Sequence, residues 1–432
     1  MTPRDLLLGS FKAAVAAADP LKIVPPHLPP PPKGRTLVVG AGKAAAAMAL
    51  AVEQHWPASA PLAGTVITRY GHGLPTTRIR VVEAGHPLPD AAGETAAREI
   101  FDAAGKLTPD DLLLALVSGG GSSLLSLPVA SITMVDLKAV TQALLHSGAA
   151  IQEINTVRKH LSLIQGGRLA AACAATIHAL VISDVTGDDP THIASGPCAP
   201  DPTTYADALE ILARYACAAP PAVMDTLTRG ARGGLAETPK PGDKVFARAE
   251  NRVIATARQS LNAAAQFFEA NGVAAVVLGD NVTGEARNIA ALHAALAREV
   301  KSRGLPWQAP VALISGGECT VTVRGNGRGG RCAEFLLALT QEIGGAANIH
   351  ALAADTDGID GSEDNAGAIT APDTLARATA LGLNAGQMLA NNDGYGFFSA
   401  LDDLVITGPT RTNVNDYRVI LVPPITGSTN EP

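Results

Sequence analysis

Several absences narrow the class of protein that this 432-residue sequence can encode. It contains no long polar or low-complexity tract, and 47% of its residues are hydrophobic while 17% are charged, which excludes a disordered chain. No apolar run approaches the roughly 18 residues that a membrane-spanning helix needs. Lysine and arginine never form a run longer than two and the net charge is −7, so nucleic acid is not an expected partner.

Cysteine is also scarce, and the few cysteines are widely spaced. The five cysteines include no C-x-x-C pair, which argues against a disulfide scaffold or a structural zinc site and predicts a reducing, cytoplasmic location. The N-terminal segment has an early acidic residue and no uninterrupted apolar region, so it does not resemble a signal peptide. We therefore expect a cytoplasmic protein that is not bound to a membrane.

Short β-rich runs alternate with Ala- and Leu-rich helical segments along the chain. This alternation predicts an α/β fold with parallel sheets. Because one hydrophobic core stops growing at roughly 250–300 residues, the length predicts two domains. A Gly- and Pro-rich stretch, Gly230–Asp243, separates residues 1–235 from residues 244–432. A second Pro-rich stretch, Pro25–Pro32, leaves residues 1–24 able to pack on either domain.

The sequence Ser-Gly-Gly ends one buried strand in each predicted domain, within Leu113–Leu124 and again within Val311–Val321. In open α/β sheets, ligands bind outside the carboxyl ends of the strands. We therefore predict that the two strand ends form facing walls of one interdomain cleft.

A glycine turn at Gly40 and Gly42 follows the first predicted strand and leads into a helix at Lys43. The turn brings main-chain amides near an anion, and the lysine suits a phosphate oxygen. The same spacing fits the dinucleotide fingerprint of an NAD enzyme, but the second strand ends in Thr68 and Arg69 instead of the acid that binds ribose. Phosphate binding, dinucleotide binding and a structural turn all stay open at this point.

Three consecutive glycines follow the first Ser-Gly-Gly strand. They cost conformational entropy unless their amides face a ligand, and two serine hydroxyls lie beside them. The chain has no Walker A sequence, so this is either a different type of phosphate loop or a sharp structural turn. The predicted phosphate-binding residues are Ser118, Gly119, Gly120, Gly121, Ser122 and Ser123.

Positive charge is concentrated at Arg158, Lys159 and His160 in an otherwise acidic chain. These side chains suit a carboxylate or a polyphosphate, so we predict that they bind the substrate. The alternatives are a solvated charged face and, for His160, a structural histidine.

Carboxylates cluster after another predicted strand, at Asp184, Asp188 and Asp189. Mg²⁺ takes one or two protein carboxylates together with water and phosphate oxygens, so the cluster predicts a magnesium–nucleotide site. The alternative is ordinary turn chemistry, since Asp and Gly are common loop formers.

The second Ser-Gly-Gly is followed by Glu318 and by a glycine-rich loop, Gly325–Gly330, which carries Arg328 and leads to Arg331. We predict a flexible loop whose guanidinium groups bind phosphate or carboxylate. An acidic segment that includes Asp357 comes next. Its spacing superficially resembles a calcium-binding EF-hand loop, but it lacks the final glutamate and the flanking helices.

Taken in order, these motifs resemble those of the class II glycerate kinases, whose C-terminal half is the MOFRL domain and some of whose members are labelled hydroxypyruvate reductases. The resemblance covers nearly the whole chain. The motifs that carry it are GAGKAA, SGGGSSL, NTVRKHLS, SDVTGDDP, IASGP, GGECTVTVRGNGRGGR, TDGIDG and GPTRTNVND.

The resemblance implies ATP- and divalent-metal-dependent phosphorylation of D-glycerate, generally to 2-phosphoglycerate. It implies a cleft between a Rossmann-like N-terminal domain and a smaller α/β C-terminal domain. By motif position, the implied catalytic residues are Lys43, Arg331 and Asp184. With it we predict nucleotide phosphates at Glu318 and Arg328, and Mg²⁺ at Asp188, Asp189 and Asp357.

The chain departs from the family pattern at Gln165, at Cys332 with Ala333, and at Arg411, which affects substrate contacts and not the reaction class. Two other functions stay open: an NAD(P)H-dependent hydroxypyruvate reductase, and a non-catalytic sensor of nucleotides or sugar acids. The sequence does not fix the oligomeric state, and a homodimer is one of the arrangements that it allows.

Overall fold

The computed structural model describes residues 1–345 and 348–424. The chain divides into two compact units. The N-terminal unit is Pro20–Ile254, and the C-terminal unit combines Met1–Asp19 with Ala255–Pro432. The first helix, α1 (Pro3–Ala16), therefore belongs to the C-terminal unit, although it precedes the N-terminal unit in the chain.

A six-stranded sheet forms the centre of the N-terminal unit. Its strands are β1 (Thr36–Ala41), β2 (Leu62–Arg69), β3 (Ile79–Ala84), β4 (Leu112–Val117), β5 (Thr176–Ile182) and β6 (Ala249–Ala255). They lie in the order β3-β2-β1-β4-β5-β6, and the neighbours from β3 to β5 run parallel. The predicted Rossmann-like parallel sheet is confirmed.

Nine α-helices belong to this unit within the described residues. They are α2 (Pro20–Ile23), α3 (Ala45–His55), α4 (Ala91–Ala104), α5 (Gly121–Leu124), α6 (Met134–His146), α7 (Ile151–His160), α8 (Arg168–Ala172), α9 (Tyr205–Arg214) and α10 (Pro221–Ala231). Apolar side chains of α6, α7, α9 and α10 pack into one buried cluster. This cluster holds α7, which carries Arg158, in a fixed position.

The ends of three neighbouring strands lie in register. Ala41 of β1 pairs with Val117 of β4, which pairs with Val181 of β5. All six residues of β4 are buried, because the strand lies in the middle of the sheet. The three loops that follow these strands therefore begin at the same edge of the sheet, where ligands bind in this class of fold.

A second sheet organises the C-terminal unit. The strands of this unit are β7 (Ala274–Gly279), β8 (Gly284–Glu285), β9 (Val311–Gly317), β10 (Cys319–Thr320), β11 (His350–Asp355), β12 (Gly367–Thr370), β13 (Leu404–Val405) and β14 (Asp416–Val422). Strands β8 and β10 pair separately, and the others lie in the order β13-β12-β11-β14-β9-β7.

The second sheet is mixed, so the prediction of parallel sheets was wrong for this unit. Strand β7 runs parallel to β9, whereas β14 is antiparallel to both β9 and β11, and β12 is antiparallel to β11 and β13. The reason is the connection: a loop without a helix joins β11 to β12, and such a loop returns the chain in the opposite direction.

Helices cover both faces of the mixed sheet. Besides α1 they are α11 (Ala257–Ala270), α12 (Ala286–Arg303), α13 (Arg331–Ile343), α14 (Thr374–Ala380), α15 (Ala385–Ala390) and α16 (Gly394–Ala400). Side chains of α1 and α11 share one buried cluster with the sheet, and those of α12 and α13 share another. No helix in residues 1–345 or 348–424 has the length and apolarity needed to cross a membrane.

Candidate active site

The turn after β1 joins two strand ends. The amide of Lys43 donates to the carbonyl of Gly119 at 2.8 Å, and the amide of Ala44 donates to Ser118 Oγ at 3.1 Å. Gly42 has a φ of +138°, and a Cβ there would lie 2.1 Å from Ser118 Oγ, so this position requires glycine. Because these amides bond within the protein, Lys43 offers an anion its side chain and not its main chain.

The dinucleotide interpretation of this turn receives no support from its surroundings. Gly40 lies inside β1, and a Cβ there would be 2.3 Å from the carbonyl oxygen of Leu116 in β4. Gly40 therefore allows β1 and β4 to approach each other closely. At the end of β2, the Thr68 hydroxyl donates to the Lys43 carbonyl at 3.5 Å, and Arg69 stands where a ribose-binding enzyme has an acid.

The loop after β4 presents main-chain amides that have no partner in the protein. This segment, Gly119–Ser123, is the anion loop. Within the described part of the chain, the amides of Gly119, Gly120, Ser122 and Ser123 donate no hydrogen bond to a protein acceptor. Gly120 is left-handed, with φ +79°. Successive unpaired amides in such a turn form an anion-binding concavity.

Lys43 and His86 lie beside the anion loop. A Cβ on Gly120 would be 2.8 Å from His86 Nε2 and 3.5 Å from Lys43 Cγ. The loop therefore combines unpaired amides with a cationic side chain, as phosphate oxygens require. Sequence reasoning missed His86, because a lone histidine before a proline carries no recognisable signal.

Arg158 is a buried cation that has no counter-ion among the described side chains. Its residue is 8% exposed, and one Nη atom donates to the Ser122 carbonyl of the anion loop. No acidic side chain in the described residues forms an ion pair with it, and burial lowers the pKa of Arg158 to about 10. Buried arginines are almost always paired. An anionic ligand would supply the missing charge.

Lys159 and His160 have different surroundings from Arg158. Both side chains are fully buried; Lys159 Nζ lies 3.3 Å from Asp201 Oδ1, and His160 Nε2 lies 3.2 Å from Glu237 Oε2. Burial lowers the pKa of Lys159, and Asp201 partly offsets that effect. These contacts stabilise the fold and leave neither side chain exposed surface for a substrate.

The predicted metal ligands do not lie in one unit. Asp184, Asp188 and Asp189 follow β5, whereas Asp357 follows β11 in the C-terminal unit. Asp189 accepts a hydrogen bond from the Thr191 amide at 2.9 Å. Across the described ranges, no three His, Cys, Asp or Glu side chains are grouped as a metal site. The aspartates after β5 do offer the hard oxygen donors that Mg²⁺ prefers.

Carboxylates surround Arg331 at the start of α13. Its guanidinium lies 2.7 Å from Asp416, 2.8 Å from Asp355 and 2.9 Å from Glu318. Burial by itself lowers the pKa of Arg331, but these three acids raise it well above its usual value. Asp416 also binds the buried Arg418 at 2.7 Å. The charge of Arg331 is thus already neutralised by acidic side chains of the protein, and Glu318 is one of these ion-pair partners.

The glycine-rich loop Gly325–Gly330 forms hydrogen bonds with the segment that follows α15, and its predicted flexibility stays a prediction. The amide of Gly325 donates to Asn392 Oδ1 at 3.1 Å, and the amide of Gly327 donates to the carbonyl of Asn391 at 2.9 Å. A Cβ on Gly327 would lie 2.5 Å from that carbonyl oxygen. Close packing therefore explains these glycines.

Arg328 projects from the glycine-rich loop and remains mostly exposed. It lies 3.3 Å from Glu363 and stacks over the Tyr395 ring at 4.6 Å. The loop borders a cavity of about 270 Å³ that Arg331 and Glu334 also line. Asp357 is buried, and its Oδ1 accepts a hydrogen bond from the Ile359 amide at 2.8 Å.

A Rossmann-order sheet whose neighbouring strand ends carry an anion loop, a lysine and a group of aspartates defines an α/β phosphotransferase. Residues 6–228 match a family described as a domain of unknown function, DUF4147, and residues 311–416 match the MOFRL family. A D-glycerate 2-kinase of Thermotoga maritima is 38% identical, over 97% of this chain and 98% of its own. The chain belongs to this MOFRL-containing glycerate kinase family.

Two further proteins illustrate the similarity. A crystal structure of a Thermotoga maritima glycerate kinase superimposes with a TM-score of 0.86 at 36% identity, covering 97% of this chain and 99% of that one. A protein of Agrobacterium vitis that is provisionally named a hydroxypyruvate reductase is 50% identical over 98% of this chain and 95% of its own.

Proposed function

We propose that this protein transfers the γ-phosphoryl group of ATP to the 2-hydroxyl group of D-glycerate, forming 2-phosphoglycerate. One observation carries the proposal: the unpaired amides of the anion loop lie beside both Lys43 and Arg158, and Arg158 is a buried cation with no counter-ion in the described residues. A reaction between two anionic substrates needs such a site. The glycerate kinase relatives support the choice of substrates.

Each group in the N-terminal unit has one task in this proposal. The anion loop binds phosphate oxygens, and Lys43 neutralises charge on the phosphoryl group as it moves, which is most of what a protein contributes to phosphoryl transfer. Arg158 binds the carboxylate of glycerate. Asp184 follows β5 at the same edge of the sheet and accepts the proton of the 2-hydroxyl group.

Mg²⁺ fits the carboxylates that follow β5. Asp184, Asp188 and Asp189 are oxygen donors within six residues of one another, and Mg²⁺ needs only one or two of them when water and phosphate oxygens complete its shell. Bound there, it would neutralise phosphate charge. Chelation with EDTA should abolish turnover, and added Mg²⁺ should restore it.

Arg331, Glu318, Arg328 and Asp357 stay predictions as site residues. The three carboxylates around Arg331 support a structural role at least as well as phosphate binding. The interdomain cleft, the homodimer and the cytoplasmic location also stay predictions.

A coupled assay tests the proposal against its rival. The protein is incubated with ATP, Mg²⁺ and D-glycerate while ADP release is followed, and with hydroxypyruvate and NADH or NADPH while loss of the nicotinamide is followed. We expect ADP release, and a phosphorus NMR signal from 2-phosphoglycerate. Loss of NADH or NADPH without ADP release would favour the reductase, and ligand binding without turnover would favour a sensor.

A further inference from the structure

Ser122 of the anion loop is fixed by contacts from four separate positions. Its carbonyl accepts hydrogen bonds from Arg158, from Gln165 Nε2 at 2.8 Å and from Ser126 Oγ at 3.1 Å. Its hydroxyl oxygen lies 2.7 Å from Ser195 Oγ. Its carbonyl is therefore fully used inside the protein, and its hydroxyl has one protein partner.

The segment that carries Ser195 has an unusual backbone. Ala194, Ser195 and Gly196 are all left-handed, with φ values of 50°, 59° and 56°. The amides of Gly166 and Gly167 hold them by donating to the carbonyls of Ser195 and Gly196 at 2.9 and 2.7 Å. Non-glycine residues adopt this conformation at a cost, and such residues concentrate at functional sites.

The hydrogen-bond direction between the two serines follows from burial. Ser195 is 0% exposed, and within the described residues its hydroxyl has no hydrogen-bond partner except Ser122 Oγ. If Ser122 donated this bond, the proton of Ser195 would be buried without an acceptor, which is costly. Ser195 therefore donates to Ser122. Ser122 is only partly buried, so its hydroxyl proton is then available to a ligand.

We propose that Ser195 is a positioning residue: by donating to Ser122 it aims the Ser122 hydroxyl proton at an anionic oxygen of the substrate bound in the anion loop. Hydrogen bonds in such a chain strengthen one another. This inference rests on the proposed function, because the bound anion is taken to be a kinase substrate. Ser195 acts through Ser122 and does not touch the substrate.

A double-mutant cycle on the full-length protein tests this role. Ser195→Ala should lower kcat/KM by about fivefold to tenfold, the loss expected for one hydrogen bond. In a Ser122→Ala background, the same Ser195→Ala change should alter kcat/KM by less than twofold, because the group through which Ser195 acts is absent. Varying ATP and D-glycerate separately assigns the loss to one KM or to kcat.

Ser126→Ala is the matched control. Like Ser195→Ala, it removes a buried serine hydroxyl that bonds to Ser122, but this hydroxyl bonds to the Ser122 carbonyl and not to the Ser122 hydroxyl. We therefore expect a similar decrease in Tm, while kcat/KM stays within twofold of wild type. If Ser195→Ala does not fold, Ser195→Cys replaces the hydroxyl with a weaker donor and should show a smaller loss in the same pattern.

Two results would overturn the positioning role. One is an equal loss from Ser195→Ala in both backgrounds, which would indicate a structural effect alone. The other is unchanged kcat/KM in the wild-type background. A wild-type protein that releases no ADP with D-glycerate would instead overturn the proposed function, so the two failures are distinguishable.

Discussion

The same tripeptide, Ser-Gly-Gly, ends a buried strand in each unit, but the two strand ends have opposite electrostatic surroundings. After β4, the amides of the anion loop are unpaired and Arg158 beside it has no acidic partner among the residues that the structure describes. After β9, Glu318 follows at once and joins two other acids around Arg331. The first end is ready to receive an anion, whereas the second already contains its anions.

Glycine also has different tasks at the two ends. At the anion loop, Gly120 allows a left-handed turn beside unpaired amides. At the end of β9, a Cβ on Gly317 would lie 2.4 Å from the amide nitrogen of Val282, so this glycine permits close packing. The comparison teaches that a repeated glycine motif identifies strand ends, while the charges around it determine what each end binds.

The largest expected effect comes from breaking the charge balance at the second end. Asp416 is fully buried and lies between the buried Arg418 and the partly buried Arg331, so Asp416→Asn leaves both guanidinium groups with less negative charge. We expect the free energy of unfolding to fall by about 3–5 kcal/mol, measured by urea denaturation. The control Asp280→Asn removes the partner of the more exposed Arg258 and should cost about 1 kcal/mol or less. Equal losses in the two variants would contradict this assignment.

Removing the lysine of the first end should act mainly on turnover. Lys43→Ala is expected to lower kcat by about 10²–10³, because Lys43 is proposed to neutralise charge that develops during phosphoryl transfer. ADP release at saturating ATP and D-glycerate measures it. Lys12→Ala, an exposed lysine on α1, is the control. A Lys43→Ala protein with near-wild-type kcat and an unchanged Tm would refute the proposed role.

Arg158→Met should act mainly on the hydroxy acid. If Arg158 binds the glycerate carboxylate, its loss removes a charge-assisted hydrogen bond of about 1.5–3 kcal/mol, so KM for D-glycerate should rise by about tenfold to a hundredfold. KM for ATP should change little. Arg214→Met removes an exposed arginine that pairs with Glu153 and serves as the control. A larger change in KM for ATP than in KM for D-glycerate would assign Arg158 to the nucleotide.

The strand ends themselves could be predicted from the sequence. The sequence predicts a strand over Leu112–Val117 and a helix over Ala91–Ala104, and the bounds of β4 and α4 agree with both, because a continuous apolar run or a strong helical pattern ends there at small or polar residues. The sequence prediction did not include β6 and β12, whose mixed runs lack a clear period, or the two-residue strands β8, β10 and β13. The local pattern therefore located the motifs, but it did not predict every strand of either sheet.

Charge pairing could not be predicted, because it depends on residues that are distant in the sequence. Lys159 finds its acid 42 residues further along the chain, and Arg331 finds two of its acids 24 and 85 residues further on. No spacing rule connects such positions. For the same reason, the sequence did not distinguish Arg158 from its neighbour Lys159, although only Lys159 has a counter-ion in the described structure.

The smallest expected effect concerns Asp360, a carboxylate of the protein itself that main-chain amides bind. It accepts hydrogen bonds from the amides of Cys332 and Ala333 at the start of α13, yet complete burial raises the pKa of Asp360 to about 6. Because the folded state binds this proton more tightly than the unfolded state, the resulting stability is fully present below about pH 4 and is lost as the pH rises to about 6.

Asp360→Asn removes this titrating group. The difference in the free energy of unfolding between wild type and Asp360→Asn therefore isolates the contribution of Asp360. The wild-type free energy of unfolding, minus that of Asp360→Asn, should fall by roughly 1–3 kcal/mol between pH 4 and 6 and stay constant above about pH 7. Asp111→Asn is the matched control. Asp111 also accepts hydrogen bonds from two amides, those of Thr108 and Arg35, but here these bonds lower the pKa of Asp111. The free energy of unfolding of wild type, minus that of Asp111→Asn, should therefore fall only as the pH drops below about 4. A flat Asp360 curve would mean that the α13 amides outweigh burial and hold this carboxylate ionised, as they would hold an anionic ligand.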